Sequence, residues 1–172
     1  MTGLAGRVVC GAVAAVALTA AGCGSQGSGL QAARFPARTG WQVGAGHVHA
    51  CTDMARDRCS QAGSWATTGE WRDCTECLPQ KTVAGLPADG IAMTLLMGRG
   101  PNAPKRALHW PAQLRPGDAR NFEGLPARIG VIQRSGLVHG FTTYLFVFFG
   151  RPRPTAAQVS RAQAELGAVE LP

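Results

Sequence analysis

The chain has little lysine, few acidic residues and few aromatics, and it lacks any run of like charge. Only two of its 17 basic residues are Lys, against 10 Asp and Glu, for a formal net charge of +7. A basic protein of this kind can favour anionic lipid or cell-wall polymers. The scatter of the charges, with no basic cluster, fits a solvated surface and points away from nucleic acid. Also absent are a Gly-x-Ser-x-Gly elbow, a His-Glu-x-x-His helix and a close carboxylate pair, so no standard hydrolase or metalloprotease constellation is present. Aromatics amount to one Tyr, six Phe and four Trp, and Trp41, Trp65 and Trp71 crowd into the N-terminal part.

What is present begins with an address. Val8 to Ala21 carries no charge and is dominated by Ala and Val. That is the h-region of a signal peptide, too short and Ala-rich for the ~20 strongly apolar residues of a membrane span. It closes with Leu18-Thr19-Ala20-Ala21-Gly22-Cys23, and the Gly/Ser tract Gly24–Gly29 follows, a flexible tether by composition. Over residues 1–23 the pattern resembles the lipobox of bacterial lipoproteins, with Ala20 where that family prefers Leu. The resemblance implies cleavage before Cys23, a thioether-linked diacylglycerol on Cys23 and a place on the outer face of the cytoplasmic membrane. Two acyl chains suffice for stable anchoring, at about 0.8 kcal/mol per buried CH₂. The expected organisation is a signal peptide at 1–22, a lipid-anchored flexible linker at 23–38 and a single domain at 39–172, long enough for one core.

Cys10 leaves with the leader and Cys23 is taken by lipid. The four cysteines that remain, Cys51, Cys59, Cys74 and Cys77, are an even number outside the cytoplasm and read as two disulfides. Two local bridges, Cys51–Cys59 and Cys74–Cys77, and a nested arrangement, Cys51–Cys77 with Cys59–Cys74, are both open. Cys74-Thr75-Glu76-Cys77 also has redox spacing. That chemistry needs the first thiol at a helix N-terminus in a βαβ setting, whereas polar residues 67–73 precede it and Pro79 follows. His47 and His49 alternate on an expected strand and could chelate a metal, but no third histidine or carboxylate cluster stands at ligand spacing. No metal or cofactor is therefore expected.

Fold signals are clearest in the second half. Ile91 to Met97 is apolar on both faces and reads as a buried strand. Residues 98–123 read as a long loop, of the sort that is either functional or disordered. Ala127 to Gln133 reads as a strand, Arg134-Ser135-Gly136 as a hairpin turn, and Val138 to Phe149 as a central strand covered on both sides. Thr155 and Gln158 match a capping box, with Val159, Ala162 and Leu166 on one helical face and Gly167 available to end the helix. The fold expected is α+β: an antiparallel β-sheet with a C-terminal helix packed on one face, preceded by a Cys-containing β/loop region. In layout, residues 124–171 resemble the ends of exported actinobacterial domains, PsbP-like sandwiches among them. The likeness lies in layout alone and carries no functional residue over.

The functional expectation is a monomeric cell-envelope lipoprotein that is not an enzyme. It would bind an envelope protein or a cell-wall partner, with loop 98–123 as the place of contact. The alternatives are a thiol–disulfide or metal-handling protein using Cys74/Cys77 or His47/His49, and a hydrolase drawing on His109, His139, Asp118 and Glu123.

Overall fold

A computed structural model describes residues 31–48, 61–73, 79–99 and 106–172. Cys23, His49, Cys51, Cys59, Cys74 and Cys77 lie outside these residues, as does the signal segment. Five strands form one sheet: β1 (Gln42–Val48), β2 (Gln61–Thr67), β3 (Ile91–Gly98), β4 (Gly130–Val138) and β5 (Phe141–Phe149). Their spatial order is β1-β2-β3-β5-β4, and every neighbouring pair is antiparallel. Among the described residues two α-helices complete the layout, α1 (Gln80–Ala84) and the C-terminal α2 (Ala156–Leu166). The α+β expectation holds at this level: an open antiparallel sheet followed by a terminal helix.

The side-chain period of two explains why β3 and β5 sit at the centre. Along β3, Ile91, Met93, Leu95 and Met97 enter one buried cluster, while Ala92 enters a second. Along β5, Leu145, Val147 and Phe149 join the first, and Phe148 the second with Phe146 packed against it. The larger cluster also takes Val159, Ala162 and Leu166 of α2, together with Ala112 and Leu114. The smaller one takes Val83, Leu86, Ile129 and Val131. Ala33 and Phe35, in the stretch expected as linker, are core residues too, and Arg34 exchanges backbone hydrogen bonds of 2.8 and 3.0 Å with Glu170.

The capping box of α2 is present as read: Thr155 Oγ1 accepts from the Gln158 N–H and Gln158 Oε1 accepts from the Thr155 N–H. Such a cap is local, so the sequence states it directly. The cap of α1 is not local. Asp73 reaches over to accept from the N–H groups of Lys81 and Thr82, at 3.1 and 2.7 Å, just after Pro79. Pro79 thus precedes a helix and does not preclude one.

The hairpin differs from its expectation. β4 runs straight through Arg134-Ser135-Gly136, and the turn falls at His139-Gly140, where φ is +50° and +81°. A two-residue loop with both φ positive matches the twist of the flanking strands. Gly136 serves another purpose: a Cβ there would meet Leu108 Cβ at 2.7 Å and the Arg106 carbonyl oxygen at 2.8 Å. The glycine lets a neighbouring segment approach the strand closely.

Candidate functional site: a strap and a pocket on the β4 edge

The segment that approaches β4 is 106–120, from the stretch read as a long loop. It is tied to the exposed edge of the sheet at two places. At one end the Leu108 N–H donates to the Leu137 carbonyl and the Leu137 N–H to the Arg106 carbonyl, both at 2.9 Å. At the other, Arg120 and Val131 exchange two bonds of 2.9 Å. Between these bridges the chain bows out through His109, Trp110 and Pro111, with a cis Trp110–Pro111 bond, and a short 3₁₀ turn at Pro116–Asp118.

Three devices hold the bow. Ala112 and Leu114 are buried in the larger core, with Trp110 packed against it. Gln163 of α2 clamps the backbone between them: its Oε1 accepts from the Leu114 N–H at 2.9 Å, and its Nε2 donates to the Ala112 carbonyl at 3.1 Å. Arg134, leaving β4, spans the gap below. Its guanidinium donates to the Asp118 carboxylate, to the Gln113 carbonyl at 3.2 and 3.3 Å, and to the Gln133 carbonyl at 3.0 Å. This pair is about one-third exposed on each side, so its worth is modest, on the order of 1 kcal/mol.

Beneath the bow is a pocket of about 450 Å³, lined among others by Arg106, His109, Arg115, Asp118, Arg134 and Ser135. Three arginines and one carboxylate are among its lining residues, and that carboxylate is engaged by Arg134. Arg106 and Arg115 are exposed and pair with no carboxylate among the described residues. The pocket is therefore cationic and open to solvent. Such a site attracts anions and can hold them through the planar donor forks of arginine.

The residues weighed for catalysis are only partly brought together. His109 and Asp118 line the same pocket, but among the described residues no hydrogen bond joins His109 to a carboxylate. His139 stands at the tip of the β4–β5 hairpin, and Glu123 is exposed just before the turn at Gly124. His47 lies in β1 opposite Ala62. No group of three or more His, Cys, Asp or Glu residues could hold a metal among the described residues. No helix among them is long and apolar enough to cross a membrane.

The pocket lies against part of the stretch read as a long loop, and its arginines were not singled out in the sequence. Arg134 was hidden in an apparent turn, and Arg106 and Arg115 carry no local signature. In comparisons with protein-family models, with curated proteins and with solved structures, nothing matched the chain.

Proposed function

We propose that the chain is a non-catalytic binding protein of the cell envelope, tethered to the outer face of the cytoplasmic membrane by lipid on Cys23. The observation that carries the binding role is the cationic pocket under the strap. It concentrates uncompensated positive charge in a concave site, and no acid–base pair is assembled there among the described residues. In this reading residues 1–22 are removed, and Cys51, Cys59, Cys74 and Cys77 form two disulfides. Helix α2 covers one face of the sheet, and the buried positions of Val159, Ala162 and Leu166 support that placement.

The binding role is tested in intact envelopes with a photo-reactive residue placed at the exposed position His109. A discrete adduct, absent when the same residue is placed at Ala127, is the expected result. Equal labelling at both positions, or none at either, overturns the role. Intact mass of the membrane-extracted protein tests the anchor in parallel. A diacylglycerol adduct on Cys23 with no free thiols is expected, and an unmodified Cys23 refutes it.

A further inference from the structure

Resting on the binding role proposed above, we infer that the pocket under the strap binds a phosphomonoester group, a tetrahedral dianion. The charge count points to it. Arg106, Arg115 and Arg134 supply three positive charges, and Asp118 removes one, which leaves a surplus matched by a charge of −2. A lone carboxylate would satisfy one guanidinium fork and leave another unpaired.

The backbone adds a donor at the same place. Val131 and Leu137 direct their N–H and C=O groups outward, since both are bonded to the strap. Directions alternate along an antiparallel strand, so Gln133 and Ser135 also point outward. They lie in the interval that the strap spans without pairing. Arg134 takes up the Gln133 carbonyl. Among the described residues the strap offers no backbone acceptor to the N–H groups of Gln133 and Ser135. Of the two, Ser135 lines the pocket, which thus sets flexible guanidinium groups beside a fixed amide donor, a combination suited to a tetrahedral oxyanion. Half-buried Leu108 in the same lining gives an ester substituent an apolar surface, and the opening lets that substituent continue into solvent.

The test is calorimetric titration of the full-length protein in detergent with phenyl phosphate. Phenyl methyl phosphate and benzoate serve as monoanionic comparisons of similar size. Phenyl phosphate is expected to bind at least tenfold more tightly than either. Arg106→Ala and Arg115→Ala are each expected to weaken it at least fivefold, with an unchanged melting temperature because both side chains are exposed. Two further arms locate the source of the phosphate: glycerol 3-phosphate in solution, and phosphatidic acid doped into the micelle against phosphatidylcholine. Binding in either arm that vanishes in the double variant supports the assignment, and the tighter arm names the source. Absence of heat, equal affinity for benzoate, or binding that survives the double variant overturns it. A persistent envelope adduct at His109 without phosphate binding would overturn the ligand chemistry alone. Loss of both would remove the binding role as well.

Discussion

One side chain of α2 ties the strap to the body of the domain, and Gln163→Met isolates it. Gln163 holds the Leu114 N–H and the Ala112 carbonyl at 2.9 and 3.1 Å. Both residues are buried, at 7% and 1% exposure, so water is poorly placed to replace the amide. Methionine keeps the length and approximate volume of the side chain and removes both hydrogen bonds. An ordinary hydrogen bond contributes about 1 kcal/mol net, and a buried donor or acceptor left unsatisfied costs about 1–3 kcal/mol. Gln163 itself is only partly buried, which favours the lower end. The expected loss is about 2 kcal/mol, roughly a thirtyfold fall in the folding equilibrium constant. Urea unfolding with both proteins fitted at a common slope reads the energy. Amide exchange reads the place: the Leu114 N–H should exchange much faster, while amides of β3 and β5 change only with global stability. A loss under about 0.5 kcal/mol with unchanged Leu114 exchange would refute the clamp as the support of the bow.

Two other perturbations address the body of the fold. Gly150→Ala would set a methyl 1.7 Å from the Pro87 carbonyl oxygen; forcing the 87–90 turn away from β5 should cost about 3 kcal/mol and lower Tm by roughly 10 °C, and a fall under about 3 °C would show that the turn yields freely. Glu165 is 1% exposed, its Oε1 has no partner among the described residues, and Arg38 stands 3.9 Å from its other oxygen. Burial raises its pKa above the ordinary 4.5, against the pull of Arg38 and Arg161. The folded state therefore holds the proton to higher pH than the unfolded chain, so this group's contribution falls as pH rises from its unfolded pKa through its folded one. Glu165→Gln should flatten that fall and add about 1 kcal/mol at pH 7, read from urea unfolding at pH 4 and pH 7; an unchanged pH slope would refute the assignment.

What the sequence disclosed, and what it hid, divides by the range of the interactions. β3 and β5 were legible because long apolar runs have few alternatives to burial in a sheet. The start of α2 was legible because Thr155 and Gln158 cap each other within one turn. β2 was not: Gln61–Thr67 is mostly small residues, and its strand character comes from pairing with β1 and β3 on either side. Trp65 in that strand lies across Gly44 and stacks on Trp71 with ring centroids 4.2 Å apart, a contact that residue spacing does not encode. The start of α1 depends on Asp73, eight residues before Lys81, and no local rule connects them. Gly136 shows the ambiguity most plainly. A glycine between strand residues signals either a positive φ or a close approach, and the sequence offered His139-Gly140 for the first and Gly136 for the second. Only the position of Arg106 and Leu108 separates the two. The candidate pocket was hidden for the same reason, because its three arginines stand far apart in the chain.

The origin of the pocket follows from the edge it covers. An unpaired outer strand is a template for aggregation, and proteins blunt it by covering or charging it. Complete cover of β4 would need the strap to present a hydrogen-bonding group opposite each outward-facing residue from Val131 to Leu137. Pro111 and Pro116 lie within the span between the two bridges and lack the N–H that such pairing requires. Ala112 and Leu114 then draw the chain toward the core of the domain. Pairing is satisfied at the two ends and withheld in the middle, and Arg134 fills only part of the interval. The strap also runs parallel to β4 at Ala107–Leu137 and antiparallel at Arg120–Val131, so it reverses direction between the bridges and leaves the strand there, a course that the prolines which made residues 98–123 look structureless suit. The fold as it stands gives up part of its edge cover at the place where its positive charge collects.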